Sequence, residues 1–170
     1  MDILPLLDRC IAIERIAEEI YTALARRTVG DSELQQFWTA MADDERHHAG
    51  KLEAWRRLSA GQRPEERAVA EGFDAGVTEI ESLVAKAREE AEHVSCPDDG
   101  FAIALELEMS ELDAIYTTLL ESSPLSRHAD VAETRRREVA GHHEALVRAV
   151  RARSRDEQNL TRALLIAAED

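Results

Sequence analysis

Residues 34–55 read LQQFWTAMADDERHHAGKLEAW. Within this stretch Leu34, Trp38, Met41, Glu45, His48, Leu52 and Trp55 follow one another in alternating steps of four and three residues. That spacing lines side chains along one face of an α-helix. Most of the face is apolar and suited to a core, yet Glu45 and His48 stand in its middle. A carboxylate so placed loses its water, which costs several kcal/mol unless a partner compensates.

The flanking segments repeat the pattern. Before it, Ile3, Leu7, Cys10, Glu14, Ala17, Tyr21 and Leu24 form a stripe with Glu14 at its centre. After it, Phe73, Val77, Ile80, Val84, Ala87, Ala91 and Val94 form one with no polar interruption, followed by Phe101, Ala104, Glu108, Glu111, Ile115 and Thr118, and then by Val131, Glu138, His142, Ala145 and Ala149. Turn residues separate the segments at Gly30-Asp31-Ser32, at 59–64, at 96–100 and at Ser122-Ser123-Pro124. A weaker break at 153–156 sets off a short segment ending in Leu164, Leu165 and Ile166.

These segments predict an all-α protein: a helix pair over 3–60, a helical connector over 65–95, a second pair over 101–153 and a C-terminal helix over 156–168, in one domain spanning 1–170. Short turns make each pair antiparallel. A connector of roughly 30 helical residues spans about 45 Å, the length of such a bundle, and lays the second pair beside the first. The expected fold is a ferritin-like four-helix bundle with a long helical crossover.

Composition agrees and excludes other classes. Gly and Pro number 7 and 4, and aromatics make up 4% of the 170 residues, as suits long helices. A balance of 35 acidic against 21 basic residues, net charge -14, repels a phosphate backbone, so nucleic acid is excluded as a partner. Most of these carboxylates form a solvated surface. The 2 cysteines, Cys10 and Cys96, are too few and too far apart for a zinc ribbon or a rubredoxin-type iron site. The N-terminus lacks a basic, apolar leader and no stretch has the length of a membrane span, so a cytoplasmic protein is expected.

The chemistry lies in the interruptions. A Glu-x-x-His pair occurs by chance in many acidic helices. Here, however, ligand-type residues break four stripes near mid-helix while the connector's stripe has none. Glu14, Glu45, Glu108, Glu111 and Glu138 outnumber the core-facing cations, since Arg15, Arg46 and Arg136 are expected on outer faces. A multivalent cation answers that charge, and mixed carboxylate and imidazole donors suit iron or manganese better than zinc or calcium. Glu45 and His48, three apart, reach one metal together.

As an ensemble the residues resemble the rubrerythrins, within the ferritin-like diiron proteins. That family carries a Glu seven residues before a Tyr on its first helix, matched by Glu14 and Tyr21. Its second helix carries Glu-x-x-His, matched by Glu45 and His48, and its third two glutamates three apart followed by a Tyr, matched by Glu108, Glu111 and Tyr116. The resemblance implies two iron ions, manganese being the other candidate. Glu45 and Glu108 would bridge them, and Glu14, Glu111, His48 and a pair on the fourth helix would be terminal ligands. Tyr21 and Tyr116 are expected to hydrogen-bond ligand carboxylates. The fourth helix departs from the family's second Glu-x-x-His, because Gly141 stands at the histidine position. Glu138 and His142, four apart, can still share a metal, and His143 is the alternative ligand. The implied activity is that of a diiron oxidoreductase that reacts with hydrogen peroxide or dioxygen. It would be a peroxide reductase served by a separate electron-donor protein, with ferroxidase, iron storage or delivery, or a non-catalytic metal-binding bundle as alternatives. A homodimer or larger assembly is expected.

Overall fold

The computed structural model describes residues 2–63, 73–110 and 129–169, with side chains over 2–63, 75–110 and 141–168. The regular elements among them are α1 (Ile3–Arg27), α2 (Ser32–Ala60), α3 (Phe73–Ala91), α4 (Pro97–Glu108), α5 (Ala129–Arg153) and α6 (Glu157–Glu169). The expected all-α architecture is observed. No helix among the described residues is long and apolar enough to cross a membrane.

Local chemistry sets the helix starts. The Asp2 and Asp31 carboxylates accept the Leu4 and Leu34 N–H groups at 3.1 and 3.0 Å, satisfying donors that a helix N-terminus leaves unpaired. Between α1 and α2 the chain reverses at Gly30, whose φ of 108° is costly for any residue with a side chain. At the head of α4, Asp99 accepts the Ser95 and Cys96 N–H groups at 2.9 and 3.1 Å, and Pro97 takes the first helical position, where its missing N–H costs nothing.

Ion pairs between helices fix their directions. Asp8 meets Arg56, Arg15 meets Glu53 and Glu18 meets Arg46, so α1 and α2 are antiparallel. Arg9 with Glu81 and Arg88 with Glu19 make α3 run parallel to α1. Lys86 with Glu106 sends α4 back against α3. His142 of α5 and Ser154, just after its end, reach Glu108 and Asp98 of α4 at 3.0 and 2.6 Å, and Arg153 reaches Asp31, so α5 is antiparallel to both α4 and α2. Two antiparallel pairs with a lengthwise crossing helix constitute the ferritin-like bundle. Each exposed ion pair contributes about 0–1 kcal/mol, so the pairs set register more than stability.

Stability comes from the buried stripes. Leu6, Leu7, Ile13, Ile20 and Leu24 of α1 pack with Trp38, Met41 and Leu52 of α2, Val77, Ile80 and Val84 of α3, and Phe101 and Leu105 of α4. Burying a large apolar side chain is worth roughly 1.5–3 kcal/mol. After Glu108, the last residue of α4, the Met109 and Ser110 N–H groups bond the Leu105 and Leu107 carbonyls at 3.0 Å, and the expected continuation of the segment through Glu111 lies outside the described residues. In α6, Ala163 and Ile166 are buried while Leu164 and Leu165 are exposed, and buried Asn159 ties the helix to the Asp98 carbonyl at 2.9 Å.

Candidate metal centre

Four helices bring their interruptions to one place. Glu14 arrives from α1, Glu45 and His48 from α2, Glu108 from the last residue of α4 and His142 from α5; Glu14, Glu45, His48 and His142 are all buried. Their donor atoms fall into two groups, Glu14 with Glu45 and His48, and Glu45 with Glu108 and His142, each within 4.8 Å. Glu45 belongs to both. Its Oε2 lies 3.0 Å from His48 Nδ1, while its Oε1 lies 3.5 Å from His142 Nε2. His48 Nδ1 is also 3.8 Å from Glu14 Oε2, and His142 Nε2 is 3.0 Å from Glu108 Oε1.

The groups surround a cavity of about 30 Å³, walled on its apolar side by Ala17, Val84 and Leu107. That is room for roughly two water-sized occupants. Tyr21 donates its hydroxyl to Glu108 Oε1 at 2.6 Å, and its ring stacks on Trp38 with centroids 6.0 Å apart.

Protonation shows how crowded the negative charge is. Burial, and after it the Glu14 and Glu108 carboxylates, push the Glu45 carboxyl up from 4.5 to about 8 against the His48 hydrogen bond. Burial also works against an ionised Glu108, but the His142 charge and hydrogen bond, with the Tyr21 hydroxyl, hold it down at about 2. Burial disfavours a charged His142, yet Glu108, Asp44 and Glu45 outweigh it and raise the imidazole well above its usual value. A proton on Glu45 and one on His142 thus take up the charge that a cation would balance, and metal binding displaces such protons.

The residues fit a bound metal. Glu14 Oε2 is buried with no hydrogen-bond partner among the described residues, a state that costs about 1–3 kcal/mol or more for a charged group, and a cation between Glu14, Glu45 and His48 would remove that cost. Oxygen and imidazole donors in this mixture match iron or manganese.

Of the residues singled out in the sequence, Glu14, Glu45, His48, Glu108, His142 and Tyr21 meet at this centre. Glu111 and Tyr116 lie outside the described residues, and Glu138 belongs to α5 with a side chain outside them. Both histidines of the irregular fourth helix reach Glu108, His143 Nε2 lying 3.6 Å from its Oε2, but only His142 joins the donor groups among the described residues. Asp44 went unrecognised. Its carboxylate lies 3.4 Å from His142 Nδ1, and that hydrogen bond keeps it below the usual carboxylate range. Adjacent to Glu45 but rotated off the apolar stripe, it gave no signal in the pattern of the sequence.

A model of the rubrerythrin family matches residues 5–95, which carry Glu14, Glu45 and His48. No curated protein and no solved structure matches the chain. With more than half of its length matched, and with a carboxylate and histidine centre of the kind an iron-binding family requires, the chain belongs to the rubrerythrin family.

Proposed function

We propose that the chain is a diiron oxidoreductase that reduces hydrogen peroxide, using a reductant from outside these 170 residues. The observation that carries this reading is the orientation of Glu45, whose two oxygens face His48 and His142 separately at 3.0 and 3.5 Å. A carboxylate so turned suits a bridge between two metals, Glu14 and His48 serving one and Glu108 and His142 the other. Glu111 and Glu138 complete the proposed donor set.

Iron held by these residues, or manganese in its place, would supply the electrons for cleaving the O–O bond. The protein's own residues arrange the rest. Ala17, Val84 and Leu107 exclude bulk water from one side of the cavity, which strengthens the electrostatic interactions inside it. The Tyr21 hydroxyl fixes Glu108 Oε1 at 2.6 Å and holds a proton at the cavity's edge; Tyr116 is proposed for the same role at another carboxylate. Converting peroxide to two waters consumes two protons and two electrons. The 2 cysteines of this sequence cannot build a rubredoxin-type donor site, so a separate donor protein is part of the proposal, as is a homodimeric or larger assembly.

Stopped-flow absorbance tests the reaction. Iron-loaded protein, reduced without oxygen, is mixed with hydrogen peroxide or with dioxygen. Faster oxidation by peroxide, ending after about one turnover until a donor is added, is the expected result. Faster oxidation by dioxygen with continued turnover of added ferrous ions makes the protein a ferroxidase instead.

A further inference from the structure

A run of aromatic rings leads from the centre toward the surface of the bundle. Tyr21, fully buried, donates its hydroxyl to Glu108 Oε1 at 2.6 Å, and its ring meets that of His142 at 61° with centroids 6.4 Å apart. Its face lies nearly parallel to the indole of Trp38, at 11° and a centroid distance of 6.0 Å. Trp38 is itself fully buried and packs on Phe37 at 4.6 Å and on Phe101 at 5.4 Å, and Phe37 is partly exposed. Room for the indole is left by Gly100 of α4. A Cβ there would come within 3.3 Å of Trp38 Cζ2, and the chain keeps the glycine although inside a helix it costs roughly 0.5–1 kcal/mol relative to alanine. Packing alone asks only for bulk at these positions. The two rings that stack beside Glu108 are instead a phenol and an indole, which give up single electrons to a strong oxidant as a phenylalanine ring does not.

We propose that Tyr21 and Trp38 form a one-electron relay between the metal centre and the surface of the bundle at Phe37. The inference rests on the reading of the centre as a diiron oxidoreductase that reacts with hydrogen peroxide. Once peroxide has oxidised the centre, Tyr21 gives one electron to it and the phenolic proton moves to Glu108 Oε1 along the 2.6 Å hydrogen bond. Trp38 then returns an electron to Tyr21, and the proton goes back along the same bond. The oxidised indole is refilled by one electron from the separate donor protein. The net change is one electron moved from donor to centre, with no proton transferred. Phe37, partly exposed and in contact with Trp38, marks the place on α2 where a donor comes nearest that indole.

Two measurements on the full chain test the relay. In metal-free Trp55→Phe protein, Trp38 is what remains of the 2 tryptophans, and a laser flash ionises its indole. Transient absorption is expected to show the indole radical decaying as a tyrosyl radical grows in, and adding Tyr21→Phe should abolish that transfer. In iron-loaded protein given excess hydrogen peroxide and no donor, rapid-freeze EPR is expected to show a tyrosine- or tryptophan-centred radical, and peptide mass spectrometry to find oxygen added at Trp38. Tyr21→Phe should lose the radical and leave Trp38 unmodified. Trp55→Phe should change neither, because residue 55 lies about 25 Å along α2 from residue 38. Indole decay that is the same with and without Tyr21, together with an undiminished radical in iron-loaded Tyr21→Phe, overturns the proposal. If Tyr21→Phe fails to fold, judged by the melting of its metal-free form, Trp38→Phe carries the EPR measurement, where the Tyr21 radical should live longer for want of an electron from the indole and an unchanged lifetime counts against the relay. A protein that peroxide does not oxidise refutes the oxidoreductase reading, while flash transfer in the metal-free form still shows the two rings to be coupled.

Discussion

Replacing Glu45 with glutamine keeps the shape of the side chain and removes one ionisable proton from the core. In metal-free protein the Glu45 carboxyl stands at about 8 against an ordinary 4.5, chiefly through burial and then through the neighbouring Glu14 and Glu108 carboxylates. A carboxyl raised in the folded state contributes stability that is complete below its unfolded value and is lost as pH rises through the folded one. At about 1.4 kcal/mol per pH unit, the gap between those values corresponds to roughly 5 kcal/mol at most. His48 and His142, both in contact with Glu45, adjust their own protonation and reduce the net effect. Urea denaturation of metal-free wild type and Glu45→Gln, with a chelator present, measures it. The two proteins should be similar near about pH 5, and the variant should become the more stable by at least about 1 kcal/mol near about pH 9. Ferrous iron should reverse the order, because a ligand at about 100 times its Kd adds about 2.7 kcal/mol to a protein that binds it, and the variant has lost the carboxylate proposed to bridge two metals. A stability difference that does not change with pH, or a variant that weakens as pH rises, would refute the account of Glu45 as a proton-holding carboxyl.

Other substitutions address single contacts. Tyr21→Phe removes the 2.6 Å hydrogen bond to Glu108 and should cost about 1.5–3 kcal/mol at neutral pH. Because Glu108 is held down at about 2 from 4.5, that loss should fade as pH falls through this window, read from urea midpoints at several pH values. Glu108→Ala should sharply lower the iron retained after desalting, since its carboxylate contacts His142 and takes the Tyr21 hydroxyl. His142→Ala should weaken one of two metal-binding steps in a calorimetric titration. The same loss from His143→Ala instead would assign the fourth-helix ligand to His143.

The helices and their inward faces were legible in the sequence because helical periodicity is a local property. Every member of the stripe from Leu34 to Trp55 is buried, as is every member of the stripe from Ile3 to Leu24, and the turn at Gly30 falls between the two helices. The centre was legible in part, since a carboxylate on a buried stripe announces a need for compensation whatever its partner. Which atoms meet was decided by the tertiary structure. The division of Glu45 between His48, three residues away, and His142, brought from α5, depends on the register of α2 against α5, which Arg153 and Asp31 help to set. His142 and His143 are adjacent, and no spacing rule separates them; the packing of α5 gives His142 a carboxylate on each ring nitrogen, Asp44 at 3.4 Å and Glu108 at 3.0 Å. Asp44 lies off every apolar stripe. Its contact exists because two helices cross there, and local periodicity carries no information about that crossing.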